Sequence, residues 1–227
     1  MKKQAWGWLA SGGLALFSAM SGAAVLDTVN TVNLASNGLK TGTEFEYARW
    51  LQHYEVNGQD QGNDSSANQY GFIYRPDTVF LPSLRGYSTK MTSARYTYDK
   101  NDITLFIEPL TIEWLQLGVG GGWTQTAGHL NLAQRKTLDE IEPHYYASLV
   151  VGPHTGYVRG FAHWVGGNGA TDYAAGLKFP INFDIADIEI IAGYRYSKVD
   201  FATFGDHHRE IESEVSGAYL GANLVLF

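Results

Sequence analysis

The sequence predicts an all-β chain, a transmembrane antiparallel up-and-down β-barrel of about ten strands, and three observations lead there. Apolar and polar residues alternate with period two along most of the chain, the first residues read as an export signal, and the last strand-like run, Tyr219 to Leu226, is capped by the aromatic Phe227. An amphipathic final strand with a C-terminal aromatic is how bacterial outer-membrane barrels usually finish. Eight strands remain the alternative.

Lys2 and Lys3 form a basic start, Ala5 to Met20 an apolar core, and Ser21, Gly22, Ala23 and Ala24 a small-residue cleavage region. That order is the pattern of a secretory signal. A membrane anchor is the competing reading, but Gly12, Gly13 and Ser18 interrupt the apolar core and no basic stop-transfer cluster follows. The expected organisation is therefore a signal over 1–23, a periplasmic lead-in over 24–42 and an outer-membrane barrel over 43–227. The lead-in carries Leu26, Val29, Val32 and Leu34, but Asn30, Asn33 and Asn37 break its apolar pattern.

Composition suits such a barrel. Mean hydropathy is only −0.18, because alternate residues of each barrel strand face a polar interior. All 14 tyrosines lie beyond the signal, and such rings favour the membrane–water interface. The absence of cysteine excludes disulfides and thiolate metal sites, and the net charge of −7 leaves no electrostatic footprint for nucleic acid.

Strands are expected near 43–54, 68–76, 84–97, 102–108, 111–126, 141–152, 156–166, 171–179, 187–201 and 213–227. The Pro-bounded joins around Pro76–Pro82, Glu108-Pro109-Leu110, Gly152–Thr155 and Pro180–Ala186 read as periplasmic turns. The polar stretches Asn57–Ser66, 127–140 and Thr203–Glu212 read as outer loops, with tight outer turns at 98–101 and Gly166–Ala170. Strand parity points Leu117, Val119, Leu149, Leu177 and Ile190 toward lipid. The same parity points Glu108, Gln116, His144, Arg159, His163, Lys178, Glu189 and Arg195 inward. Gly118, Gly120 and Gly122 share the inner face, either to admit bulky groups and tight curvature or to leave a narrow aqueous path.

The signal, the aromatic first strand from Trp50 to Tyr54-Glu55-Val56-Asn57-Gly58, the Pro82-Ser83-Leu84-Arg85 segment and the terminal Phe227 together resemble a group of small uncharacterised outer-membrane β-barrel proteins of Gram-negative bacteria. The resemblance covers most of the mature chain and rests on pattern. It implies the fold and the compartment and brings no catalytic residues.

Two functional classes follow. The first is a non-catalytic barrel, either a structural and surface-interaction protein or a narrow passive pore. Its expected interior is a charge network of Glu108, Arg159, His163, Lys178, Glu189 and Arg195. In a barrel this narrow, side chains fill the interior, which favours a structural role for these charges. Tyr219, Val225 and Phe227 are the expected assembly signal, read by the outer-membrane assembly machinery during biogenesis. The second class is a cell-surface hydrolase, a protease or a lipid A-modifying enzyme. Asp206-His207-His208-Arg209-Glu210 could activate water, with Asp60 and Asp64 as a second carboxylate pair, or hold a metal with Glu212. A charge cluster at a loop tip needs no such cause. Ser148 and His144 share a face but lie about 13 Å apart along an extended strand, too far for a nucleophile–base contact. No cofactor or metal is expected. The expected partners are outer-membrane lipids and lipopolysaccharide, and the expected state is a monomer.

Overall fold

The computed structural model describes residues 42–61, 65–78, 81–131, 136–153, 156–183, 186–201 and 212–226. Its elements are all strands: β1 (Gly42–Val56), β2 (Gln59–Asp60), β3 (Ser65–Arg75), β4 (Ser83–Thr92), β5 (Tyr96–Ile112), β6 (Leu115–Leu130), β7 (Lys136–Val151), β8 (Arg159–Gly167), β9 (Ala170–Asn182), β10 (Ala186–Asp200) and β11 (Glu212–Leu226). β2 is a two-residue return on the end of β1. Asn57 (φ 52°) and Gly58 (φ 71°) make the turn between them; positive φ at both central positions suits a tight hairpin turn, and Asn-Gly tolerates it.

The other ten strands form one antiparallel sheet in chain order, and β11 pairs with β1 from Thr43↔Leu226 to Val56↔Ser213. The sheet is therefore a closed ten-stranded barrel, which satisfies backbone donors and acceptors that an open edge would leave bare. Its lower end carries Leu226 and the turns β3–β4, β5–β6, β7–β8 and β9–β10. Its upper end carries Val56, Thr92, Tyr96, Leu130, Gly167, Ala170 and Asp200.

Alternation separates two surfaces. In β1, Ala48, Trp50, Gln52 and Tyr54 are buried inside while Phe45, Tyr47 and Leu51 are exposed outside. In β10, Asp187, Glu189, Ile191 and Arg195 are buried while Ile188, Ile190 and Tyr194 are exposed. The exterior carries Leu105, Val119, Leu177, Ile190, Leu220 and Leu224 around its middle. Exposed Tyr70, Tyr145, Trp164, Tyr173 and Tyr194 stand toward the upper end, and Tyr74, Trp114, Tyr157 and Phe183 toward the lower.

The largest departure from the expected elements lies between 84 and 126. β4 stops at Thr92 and β5 runs unbroken from Tyr96 through 98–101 and Glu108-Pro109-Leu110, to turn only at Glu113-Trp114. Asp99-Lys100-Asn101-Asp102 has turn composition, but Lys100 and Asp102 are buried in the lumen and paired there. Pro109 ends no strand. The β5–β6 register shifts between Ile107 and Leu110, so the proline sits in a bulge that releases it from the ladder. Strand number is preserved because each expected turn has a counterpart, the upper displaced toward the N-terminus and the lower toward the C-terminus, and the eight-stranded alternative is excluded by ten-strand closure.

Two further boundaries differ. The join after Gly152 extends to Arg159, and most of the expected 127–140 loop is strand, because β6 and β7 pair as far as Leu130↔Lys136. β7 outruns its other neighbour, with which pairing begins only at His144↔Gly167. Pro143 stands where the partner is lost, lacking the N–H an edge would expose, and Asp139, Glu140 and Glu142 charge the protruding segment. Both devices discourage edge-to-edge association. The signal, the lead-in, Asp64, the 206–210 cluster and Phe227 lie outside the described residues.

The inner glycines of β6 let strands close up. A Cβ at Gly122 would lie 1.9 Å from the Ile103 carbonyl oxygen, and one at Gly120 2.2 Å from that of Leu105, whereas at Gly86 the nearest atom is 4.0 Å away. The atoms that a Cβ would meet at Gly120 and Gly122 belong to the neighbouring strand β5, so these glycines serve close strand approach. Gly122→Ala is expected to lower stability by roughly 1–3 kcal/mol through overpacking, and Gly86→Ala to change little. Urea unfolding of the two variants in micelles, followed by tryptophan fluorescence, checks the contrast.

Candidate functional site

Among the described residues, charged side chains from many strands converge in the barrel interior, which is stacked in three layers. Antiparallel register brings Lys178 of β9 beside Arg159 of β8, while β10 delivers Glu189 from the other side. Glu189, 4% exposed, accepts from Arg159 and, at 3.2 Å, from Lys178; Asn223 of β11 donates to it at 3.3 Å. Across the same lower layer, Arg75 of β3 pairs with Glu44 of β1 and with Glu108 of β5 at 3.2 Å. Three carboxylates thus meet three cations.

The middle layer repeats that balance. Asp172 of β9 takes a two-pronged contact from Arg195 of β10, at 2.9 Å from Nε and 2.6 Å from Nη2, and a further bond from Lys100 at 3.2 Å. Lys100 also binds Asp102 at 2.8 Å. Arg195 Nη1 donates to Gln69 and, at 2.9 Å, to Thr89, and Gln69 passes the chain on to Glu46 at 2.6 Å. Tyr87 donates to the other oxygen of Glu46. Arg85 lies 3.8 Å over the Tyr87 ring and 5.0 Å over that of Tyr146. A planar guanidinium suits both the bidentate carboxylate and the aromatic face. On the far wall, Thr124 bonds Asp102 at 2.6 Å and His144 at 2.9 Å, and Thr104 holds the other ring nitrogen at 2.9 Å.

The upper layer is apolar. Trp50, Tyr54, Met91, Tyr96, Tyr98, Leu130, Leu138, Val199, Phe201 and Val215 form one buried cluster. Tyr98 meets Phe201 edge-on with centroids 5.5 Å apart, and Tyr96 meets Tyr54 at 6.1 Å. The Trp50 ring receives the Arg195 guanidinium at 4.7 Å, joining this layer to the ionic one beneath.

These contacts place each inward residue. Arg159, Lys178 and Glu189 meet one another; Glu108 and Arg195 have partners of their own, Arg75 and Asp172. His163 makes no ion pair among the described residues and sits between the rings of Tyr87 and Phe161, at 6.2 and 6.3 Å. Tyr219 and Val225 are buried on the inner face of β11. The cations and carboxylates that parity reasoning left out are Glu44, Glu46, Arg75, Arg85, Lys100, Asp102, Asp172 and Asp187. Glu44 and Glu46 were within reach, since they share the alternation of Trp50.

Of the hydrolase candidates, Asp60, His144, Ser148 and Glu212 lie among the described residues. Glu212 is bound to Lys198 at 2.7 Å, and Asp60 stands 3.9 Å from His53. Both His144 nitrogens are engaged by threonines, and Ser148 faces His163 across the β7–β8 pair without a hydrogen bond between them. Among the described residues no group of three or more His, Asp or Glu is placed to hold a metal ion.

No family model and no curated protein matches the chain. Solved barrels of similar architecture include Neisserial surface protein A (NspA), at 10% identity and a TM-score of 0.41 over 82% of this chain and 98% of that one. Ail, the attachment invasion locus protein of Yersinia pestis, is 14% identical with a TM-score of 0.39 over 82% and 99%. The translocator domain of the autotransporter NalP from Neisseria meningitidis is 13% identical with a TM-score of 0.38 over 93% and 97%.

The Arg159–Glu189–Lys178 group makes a quantitative expectation. Glu189→Gln strands two buried cations and should cost about 3–5 kcal/mol, the scale for breaking a buried pair. Combining it with Lys178→Met should cost less than the sum of the single changes, by roughly 1–3 kcal/mol. A double-mutant cycle in urea measures this; additive effects would mean the group is not coupled.

Proposed function

We propose that the chain is a non-catalytic outer-membrane β-barrel with a closed lumen, acting through the surface it presents. The observation that carries this reading is the filling of the interior: two charge-paired layers lie beneath an apolar layer whose Trp50, Tyr54, Tyr96, Tyr98 and Phe201 are all at most 1% exposed. An ion crossing that interior would have to displace an aromatic cluster and then compete with buried ion pairs, both costly steps. Membrane placement is supported by the apolar outer wall between two aromatic levels and by the export-type N-terminal sequence. With its lumen closed, the barrel acts through its exterior wall and upper end.

Conductance tests the closed lumen directly. Folded protein inserted in a planar bilayer should give no unitary current steps; stable steps from the wild-type chain would replace this reading with the passive pore. Cleavage of peptide or lipid A by purified protein, lost on His207→Ala, would instead support the hydrolase.

The outer wall makes its own expectation. Val119 is 41% exposed there, and Val119→Arg should destabilise the barrel in bilayers by roughly 2–4 kcal/mol if the position lies near the midplane. Equilibrium unfolding in lipid vesicles checks it, and an unchanged midpoint would contradict the lipid-facing assignment.

A further inference from the structure

The upper exterior wall over β1, β3, β4 and β5 differs from the apolar wall below it. Tyr47 and Tyr70 pack together there with centroids 5.6 Å apart, and both are about half exposed. One alternation above them, Arg49 pairs across the sheet with Asn68. Gln69 pairs with Thr89, so the next step of that register sets Asn68 beside Lys90, which in turn faces Asp99. Arg49, Asn68, Lys90 and Asp99 all point outward and all are exposed.

The row is partly organised. The Arg49 guanidinium donates to Ser66 from Nε at 3.2 Å and from Nη2 at 2.7 Å, which fixes its plane against the wall. Tyr47 donates to Asn68 at 3.0 Å, tying the aromatic level to the polar one. Neither Arg49 nor Lys90 has a carboxylate partner among the described residues, although Asp99 stands opposite Lys90 in register. Lys198, the outward cation of β10, contrasts with them, since Glu212 and Glu214 hold it at 2.7 and 3.0 Å. Two strand spacings separate Arg49 from Lys90, about 10 Å.

We propose that Arg49 and Lys90 bind the phosphates of a phosphorylated glycolipid of the outer leaflet, with Asn68 and Ser66 available to its sugar hydroxyls. The proposal rests on the membrane reading above. Charge complementarity carries it: two cations without carboxylate partners among the described residues stand two strands apart just above the aromatic level, where lipid headgroups begin and where acyl chains would lie on Tyr47, Tyr70 and the apolar wall below. Arginine matches phosphate through paired donors, and lysine adds a compact charge at the next site. Asp99 opposes an anion beside Lys90 and sets the side from which a phosphate approaches.

Native mass spectrometry of the folded full-length barrel in neutral detergent, with added lipid A or enzymatically dephosphorylated lipid A, tests it. Wild type should retain phosphorylated lipid A and lose it when the phosphates are removed. Arg49→Ala with Lys90→Ala should weaken retention by about tenfold or more, on the scale of the attraction between each basic residue and an anionic membrane surface. Arg49→Lys with Lys90→Arg should keep most of the binding, and Lys198→Ala should leave it unchanged. Equal retention of both lipids by wild type, or undiminished retention by the folded double-alanine variant, would overturn the proposal. Heat-modifiable mobility reports folding in the same samples: a chain that forms no barrel in detergent speaks against the membrane reading, while a folded barrel indifferent to phosphate speaks against this site alone.

Discussion

Everything in this molecule depends on the narrowness of a sheet closed on itself by β1 and β11. Ten strands enclose a lumen that side chains can fill, so a charge pointing inward has no bulk water to fall back on. The only stable arrangement is reciprocal. Glu44, Glu108 and Glu189 are matched by Arg75, Arg159 and Lys178, and Asp102 and Asp172 by Lys100 and Arg195, while Glu46 accepts from Gln69 and Tyr87 and Arg85 lies over the Tyr87 and Tyr146 rings. Removing one member of such a set exposes the desolvation that its partner had been offsetting, which is why breaking a pair costs more than the pair itself contributes.

The layering gives the two ends different characters. Polar layers tie distant strands together: Asp172 alone joins β9 to β10 and β5, and Arg195 reaches β3 and β4. Such bonds fix which strands face each other across the lumen and so support the register around the ring. The aromatic layer excludes water from above, and drier surroundings strengthen each ion pair below.

Period-two alternation made much of this legible. It assigned Arg159, Lys178, Glu189 and Arg195 to one face because a side chain's direction follows residue parity alone. It gave ten strands even though two turns were placed wrongly, because hydrophobic rhythm is more durable than any boundary. The errors at 98–101 and at Pro109 share a cause. Turn-forming residues were judged by local propensity, whereas Lys100 and Asp102 gain more from partners on β9 and from each other than from a turn, and a bulge accommodated the proline.

By itself, then, the sequence determined the class of fold, the direction of each side chain along correctly placed strands and the apolar character of the outer wall, since all three are properties of short stretches of chain. Only the tertiary structure decided the partners. Arg195 meets Gln69 across 126 residues and Thr89 across 106, and Arg75 meets Glu108 across 33. Those meetings depend on ring closure and on the register of every intervening strand pair. The registers of β1 with β3 and of β3 with β4 set Arg49 and Lys90 in one outward row, a neighbourhood that no local pattern in β1 or β4 contains.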